Sequence, residues 1–384
     1  MPRIYIDNAS TTPIDPRVFD SMVPFLTGSF GNPSSVHGFG QESRNAIDKA
    51  RRHVAGLIKS RPNEIVFTSG GTESNNLAIR GLASRFPGGH IVTSAIEHSA
   101  VREVLRELGK EGFDVTEIAP DEKGFIDPER VRNEIREDTF LVSVMLANNE
   151  LGTVQDLRRI SEIVKGFRDS GQEIFLHSDA VQALGKIAID SEQLGCDLLS
   201  FSAHKLYAPK GAGALFIRSG VKLIPVSKGG PHERGLRPGT ENVPGIVAFG
   251  EACSICAVEL EAEHERVFEL RERFEASLNE HLPGVTVNSG GNRLPGISNV
   301  SFAGISGEAL LIHLDQRGIA VSTGSACASG TIEPSHVLLA IGRSEETARS
   351  SLRFSFGRFN SLDDVQATIE ALKSAIKDLR RSQS

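Results

Sequence analysis

Residues 197–211 of this 384-residue chain have the sequence DLLSFSAHKLYAPKG. An apolar run ends in the polar residues Ser202, His204 and Lys205, directly before a proline and a glycine that favour a turn. A short apolar run followed by turn residues predicts a buried strand. A charged lysine at the end of such a strand is costly, so Lys205 either reaches solvent or uses its amine in chemistry, for example to bond an aldehyde.

Six further apolar runs lie on either side of this strand, and amphipathic helical patterns separate most of them. This alternation predicts an α/β fold with a mostly parallel sheet and helices on both faces. The seven predicted strands are 64–69, 90–95, 114–119, 140–146, 173–178, 197–203 and 213–219.

A long helical pattern at residues 244–282 follows these strands, and shorter strands and a final helix come after it. We expect the long helix to join a large domain, residues 16–250, to a smaller α+β domain made of residues 1–15 and 251–384. A cleft between two such domains is the usual place for a functional site.

The composition is that of an ordinary soluble globular protein, with 39% hydrophobic and 24% charged residues. The net charge of -7 provides no basic surplus for direct nucleic-acid binding. The sequence shows neither an apolar run of about 18 residues nor a signal-peptide core, so we expect a cytoplasmic protein without a membrane span.

Four cysteines, at positions 196, 253, 256 and 327, are expected to be reduced thiols in a cytoplasmic protein. Cys253 and Cys256 lie three residues apart on the long helix, and a structural zinc site normally needs four ligands. We therefore expect Cys196, Cys253 and Cys256 to be core residues and no metal to be part of the site.

Other predicted strands also end in polar residues, each with a structural and a chemical explanation. Asp179 follows the fifth strand and is either a helix N-cap or a buried carboxylate that needs a cation. His98 follows the second strand and is either a solvated loop residue or a group that stacks on a ring and transfers protons. Asn148 and Asn149 follow the fourth strand, where their amides can reach a ligand.

A Ser-Gly-Gly-Thr turn at residues 69–72 joins the first strand to a helix, as in many βα loops and in phosphate-binding turns. The carboxyl ends of the strands in an open α/β sheet meet at one edge, so the polar residues are expected to gather there. These residues are Thr72, His98, Asn149, Asp179 and Lys205. Together they suit pyridoxal phosphate, which needs an amine for its aldehyde, a carboxylate for its ring nitrogen and backbone amides for its phosphate.

Nearly the whole chain resembles the NifS/IscS group of pyridoxal-phosphate-dependent cysteine desulfurases. The matching stretches are IDNASTTPIDPRV, GNPSSVHGFG, EIVFTSGGTESNN, IEHSAV, NNELGTVQD, HSDAVQALGK, SFSAHKLYAPKGAGALF, HERGLRPGTEN, STGSACASGTIEPSHVL and LRFSFGRF. The resemblance implies an aspartate-aminotransferase-like fold (fold type I), usually in a homodimer. It also implies L-cysteine as substrate and a sulfur-acceptor partner, such as an iron–sulfur scaffold or a tRNA-thiolation factor.

For the catalytic groups, the resemblance implies that Lys205 forms a Schiff base with the cofactor and that Asp179 pairs with the ring nitrogen. His98 becomes the residue that stacks on the ring and transfers protons. Gln182 and Asn149 would contact the ring oxygen.

For the phosphate, the resemblance implies binding by Gly71, Thr72, Ser202 and His204. Thr240, in RPGTEN, would reach the phosphate of the neighbouring subunit.

Two further residues would act on the substrate. Arg353, in LRFSFGRF, would bind the substrate carboxylate together with Asn149, since a guanidinium pairs bidentately with a carboxylate. Cys327, in STGSACASG, is an incidental loop cysteine by its local sequence alone, whereas the resemblance makes it the nucleophile that takes the sulfur. Small residues around Cys327 would let it move between the site and an acceptor.

Three alternative functions use much of the same sequence. A selenocysteine lyase would share almost all of these residues, whereas an aminotransferase of the same fold would not need Cys327. A sulfur-relay or scaffold protein without turnover would need neither Lys205 nor Asp179.

Overall fold

The computed structural model describes residues 3–323 and 333–383. Within these residues the chain forms twelve strands and twelve α-helices. The strands are β1 (Ile4–Tyr5), β2 (Ile65–Thr68), β3 (His90–Ser94), β4 (Asp114–Ile118), β5 (Thr139–Ser143), β6 (Phe175–Asp179), β7 (Leu198–Ser202), β8 (Gly213–Ile217), β9 (Val285–Val287), β10 (Ile297–Phe302), β11 (Ile319–Ala320) and β12 (Ser351–Ser355).

The helices alternate with the strands over most of the first half of the chain. They are α1 (Pro16–Thr27), α2 (Gly38–Leu57), α3 (Gly71–Ala83), α4 (Ser99–Lys110), α5 (Pro128–Glu134), α6 (Leu157–Asp169), α7 (Ser191–Leu194), α8 (Val243–His281), α9 (Gly307–Asp315), α10 (His336–Ala340), α11 (Glu345–Arg349) and α12 (Leu362–Gln383).

The large sheet contains all seven predicted strands in the order β2-β8-β7-β6-β5-β3-β4. Strands β3 to β7 pair in parallel, and only β8 runs antiparallel to its neighbours β2 and β7. The predicted α/β class and the mostly parallel sheet are therefore confirmed. Six strands end at the same edge, which brings distant parts of the sequence together.

Burial follows from the layers on the two faces of this sheet. The central strands are buried along their whole length, which explains their continuous apolar runs. Edge strand β4 instead exposes Asp114 and Glu117, and charged side chains at an edge discourage pairing with another chain.

Two smaller sheets complete the fold. One is antiparallel, in the order β12-β10-β9, and the other is a parallel pair of β1 with β11. An aromatic cluster packs beneath the antiparallel sheet, where the Phe274 ring lies 4.7 Å from Phe354 and 5.3 Å from Phe356, centroid to centroid. The pairing of β1 with β11 brings the N-terminus to this part of the fold.

Helix α8 contributes to both cores, as expected of the long helix. Phe249, Cys253 and Cys256 belong to the core of the large sheet, whereas Phe274 and Leu278 belong to the core of the antiparallel sheet. The core positions expected for Cys253 and Cys256 are thus observed, and Cys196 is also buried. The division of the chain at residue 250 stays a prediction, because α8 runs through that point unbroken.

The sequence predicts no membrane span, but α8 is long and apolar enough to cross a membrane by length and composition alone. More than half of its most apolar stretch is buried inside the protein, where the helix packs against α1 and α2. Burial of this kind explains its apolar character, as in the core helix of a globular protein.

We predict that Phe274→Ala destabilises the fold much more than Phe268→Ala on the same helix. Phe274 is 0% exposed, whereas Phe268 is 44% exposed. Loss of a buried phenylalanine leaves a cavity and costs about 3–5 kcal/mol. Loss of Phe268 removes mainly its contact with the Arg271 guanidinium, worth about 1 kcal/mol or less. Urea unfolding followed by circular dichroism measures both, and equal losses would contradict this assignment of the core.

Candidate active site

A cavity of about 310 Å³ opens at the carboxyl edge of the large sheet. Of the sequence-predicted site residues, ten line this cavity: Gly71, Thr72, His98, Asn149, Asp179, Gln182, Ser202, His204, Lys205 and Arg353. Thr240 is exposed on the segment between β8 and α8 and does not line the cavity. Cys327 lies outside the described residues.

Lys205 ends the short 3-10 turn that follows β7. Its Nζ donates hydrogen bonds to the backbone oxygens of Ala9 at 2.6 Å and Ser10 at 2.5 Å. Burial, and then the positive charge of Arg353, lower the pKa of Lys205 to about 8. A lysine with this pKa has roughly a tenth of its amine unprotonated at pH 7, far more than a lysine with the ordinary pKa. The amine is therefore available as a nucleophile or a base.

Asp179 is the last residue of β6 and is buried. Asn75 Nδ2 donates to Asp179 Oδ2 at 2.7 Å, and the Val181 amide donates to Oδ1 at 3.0 Å. The helix N-cap explanation is wrong, because turns rather than a helix follow Asp179. Both donors are neutral, so a cationic group from a ligand would complete the charge balance.

The start of α3 provides a place for an anion. Gly70 has a φ of 155°, and no side chain within the described residues caps the helix. A Cβ on Gly71 would lie 2.7 Å from Val181 Cγ2, so only glycine leaves this approach open. A free helix N-terminus attracts anions through its N–H groups and its dipole.

Two polar side chains that the sequence analysis assigned to the phosphate, Ser202 and His204, also line the cavity. A Cβ on Gly70 would lie 3.7 Å from the hydroxyl of Ser202. His204 Nδ1 lies 3.1 Å from Thr11 Oγ1, and burial together with the charge of Lys205 lowers the pKa of His204 to about 4. His204 is thus neutral near pH 7 and can serve as a hydrogen-bond donor without an added charge.

His98 follows β3 and caps helix α4, so it is not a free loop residue. The Ala100 amide donates to His98 Nδ1 at 3.1 Å, which leaves the hydrogen of the neutral ring on Nε2. Desolvation inside the cavity lowers the pKa of His98, although the charge of Asp179 opposes this effect. A neutral imidazole with a fixed tautomer can stack on a ring and exchange protons.

Arg353 in β12 reaches the cavity from the antiparallel sheet and is buried. Its Nη2 donates to Asp7 Oδ1 at 2.8 Å and to Ser10 Oγ at 2.7 Å, and its Nη1 donates to the Asn149 carbonyl at 2.9 Å. Its Nε has no hydrogen-bond partner within the described residues. A guanidinium that lines a cavity is suited to a small carboxylate ligand.

Sequence reasoning missed the role of residues 7–12 and of Asn75. Ala9 and Ser10 hold Lys205, and Thr12 Oγ1 donates to the His204 carbonyl at 3.0 Å. The polar stretch DNASTT belongs to a matching motif but shows no helix or strand pattern, and its partners lie about 200 residues away or more. Asn75 lies one turn into α3. Its spacing from the glycine turn was the only feature of the sequence that could have placed it near the site.

The groups around the cavity fit each part of pyridoxal phosphate. Lys205 provides the amine, Asp179 a carboxylate for the ring nitrogen and α3 an uncapped N-terminus for the phosphate. No group of three or more metal-binding side chains occurs in the described parts of the chain.

Comparison with known proteins agrees with this geometry. The family model described as aminotransferase class-V matches residues 4–368. A cysteine desulfurase IscS of Dictyoglomus turgidum is 46% identical over 380 residues, which cover 98% of this chain and 95% of that protein. A cysteine desulfurase IscS of Methanosarcina thermophila is 45% identical over 383 residues, with coverage of 98% and 93%.

Solved structures give the same result. A structure described as a NifS-like protein has a TM-score of 0.92 at 38% identity and covers 98% of this chain and 100% of that one. A structure described as SspA in complex with cysteine has a TM-score of 0.82 at 38% identity, with coverage of 93% and 100%. The chain therefore belongs to the pyridoxal-phosphate-dependent class-V aminotransferase family, in its group of NifS/IscS-type cysteine desulfurases.

Proposed function

We propose that this protein converts L-cysteine to L-alanine and transfers the sulfur to Cys327, as a pyridoxal-phosphate-dependent cysteine desulfurase. The observation that carries the proposal is one cavity that holds a lysine of lowered pKa, a buried carboxylate and a buried guanidinium. The names of its relatives, and the similar SspA structure in complex with cysteine, support the same reaction.

Residues that line the cavity would hold the cofactor. Gly71, Thr72, Ser202 and His204 would bind the phosphate, Asp179 the ring nitrogen, and Gln182 and Asn149 the ring oxygen. When bound, the cofactor supplies an electron sink for the bonds at the substrate Cα.

The remaining groups act on the substrate. Arg353 binds the carboxylate, since its guanidinium lines the cavity and can pair with a carboxylate. Lys205 Nζ takes the proton from the substrate Cα and returns one later, which its lowered pKa favours. His98 is the proposed acceptor of the Cys327 thiol proton, and taking it up at Nδ1 requires the Ala100 amide to release that nitrogen, because Nε2 already carries the hydrogen of the neutral ring.

Cys327 acts as a thiolate that attacks the substrate sulfur. The new S–S bond forms as the C–S bond of the substrate breaks, so the products are alanine and a persulfide on Cys327. We further propose that the persulfide serves iron–sulfur cluster assembly or another sulfur-delivery route, such as tRNA thiolation, through an acceptor protein. The IscS names of the relatives support this use.

We also propose that the protein is a cytoplasmic homodimer. Five large apolar side chains between residues 19 and 39 are exposed, and Val36 is 92% exposed. The rings of Phe30 and Phe39 stack at 5.8 Å within this group. An exposed apolar patch of this kind is typical of an interaction surface, and a second copy would cover it. Three buried cysteines that remain thiols support a cytoplasmic location.

We predict that purified protein releases alanine and sulfide in equal amounts from L-cysteine with a thiol reductant. The Cys327→Ala variant should lose this activity and keep its visible cofactor absorbance, since only the sulfur acceptor is removed. Lys205→Ala is the matched control and should lose both the activity and the visible cofactor absorbance.

The same experiment separates the alternative functions. Cofactor-loaded protein that makes neither product from L-cysteine would contradict the proposal. Turnover of selenocysteine alone would then indicate a selenocysteine lyase, and keto-acid release would indicate an aminotransferase.

We predict that pyridoxal phosphate attaches to the apoprotein faster as the pH rises, with a midpoint near 8. The reactive form of Lys205 is the free amine, and burial and Arg353 lower its pKa to about 8. Arg353→Met should move the midpoint upward, because it removes a positive charge that disfavours the ammonium form. Stopped-flow absorbance measures the rates, and a simple alkylamine in the same buffers corrects for titration of the cofactor. A midpoint equal to that of the alkylamine would contradict the role of burial.

We predict that Thr240 serves the site of the partner subunit, which an active-site complementation experiment can measure. Homodimers of Thr240→Val should bind the cofactor weakly, and homodimers of Lys205→Ala should be inactive. A mixed dimer has one site with both Lys205 and Thr240 intact, so it should regain about half of the wild-type activity. The mixed dimer would regain no activity if Thr240 acted within its own subunit. The control is a mixture of the two preformed homodimers that have not exchanged subunits.

A further inference from the structure

Lys186 is a half-buried lysine that the proposed reaction does not use. Its Nζ donates to Gln182 Oε1 at 2.6 Å. At the other end of the same amide, Gln182 Nε2 donates to the Ala9 carbonyl at 2.9 Å. A backbone carbonyl can only accept, so these two partners fix which end of the Gln182 amide is oxygen and which is nitrogen.

A tight turn places Lys186 beneath Gln182. Gly185 has a φ of 70°, and a Cβ there would lie 2.9 Å from Cys256 Sγ. Both the left-handed backbone and the crowding require glycine at this position. The turn therefore joins Lys186 rigidly to the core around α8.

Lys186 and Lys205 both line a small cavity of about 40 Å³. The same cavity is lined by Tyr207, Glu263 and His264, and His264 Nδ1 lies 2.9 Å from the Lys186 carbonyl. Burial, and then the charges of Lys205 and Arg353, lower the pKa of Lys186 to about 7. Nζ carries hydrogens in both protonation states, so the bond to Gln182 persists in either.

We propose that Lys186 is a positioning residue: it occupies the amide oxygen of Gln182 and thereby directs the remaining Nε2 hydrogen to the ring oxygen of the cofactor. This inference rests on the proposed function, since it assigns Gln182 to that ring oxygen. Without Lys186, the buried Gln182 carbonyl would lack a partner. A turned amide would set its oxygen against the Ala9 carbonyl, so the Gln182 side chain would leave this position instead.

The orientation of Gln182 has a measurable consequence. In the loaded protein the ring oxygen would share a proton with the Lys205 nitrogen, and loss of this proton would leave that oxygen as an anion. A donor to that oxygen stabilises the anion, so it lowers the pKa of the bound cofactor. Loss of the donor should raise this pKa, because the proton is then held more tightly.

The test is a pH titration of the visible absorbance of cofactor-loaded protein. Lys186→Met should raise the midpoint by about one pH unit, the size of one lost hydrogen bond. Lys186→Arg keeps a donor and should restore the wild-type midpoint. Gln182→Ala should also raise the midpoint, and adding Lys186→Met to it should cause no further shift, because Lys186 acts through Gln182.

An unchanged midpoint in Lys186→Met, or a shift that persists in the Gln182→Ala background, would overturn the inference. Gln182→Glu provides a test if Lys186→Met fails to fold, since the ionised carboxylate can pair with Lys186 but has no hydrogen to donate. An unchanged midpoint in this variant would also contradict the inference. Failure of the wild-type protein to bind the cofactor or to release alanine would instead overturn the proposed function, and this inference with it.

Discussion

One buried guanidinium, that of Arg353, ties three parts of the structure together. It belongs to the antiparallel sheet, bonds the loop after β5 through the Asn149 carbonyl, and pairs with Asp7 in the N-terminal segment. Removing one partner of a buried ion pair costs about 3–5 kcal/mol, because the other charge is left without compensation. The N-terminal segment held in this way supplies the carbonyls that bond Lys205 and Gln182, so the positions of both depend on it.

Most of the large sheet could be predicted from the sequence, because each strand carries its own local signal. The seven apolar runs became the seven strands, with differences of a few residues at their ends. The run at 140–146 continues past the end of β5, and Val144, Met145 and Leu146 are buried there. The Val144 and Leu146 amides still donate to the His177 and Asp179 carbonyls of β6, so the predicted run follows the hydrogen bonding between these strands beyond Ser143.

The part of the site that lies at the ends of the strands could be predicted from the sequence. Lys205, Asp179 and His98 each had an ordinary structural explanation, and only their shared edge of the sheet favoured a common site. The contacts of residues 7–12 could not be predicted, because they join segments nearly 200 to 350 residues apart and no periodic pattern records them. The roles proposed for Cys327 and Thr240 come from the resemblance, since the local sequence around each of them carries no signal of its own.

Helix α8 limits how the two hydrophobic cores can move relative to each other. Its 39 residues run through both hydrophobic cores and would span about 58 Å at 1.5 Å per residue. A helix of this length is stiff. The large sheet and the antiparallel sheet therefore cannot move apart unless the helix bends or its buried residues leave their cores. Admission of the substrate is therefore expected to require movement of loops around the cavity while the frame stays rigid.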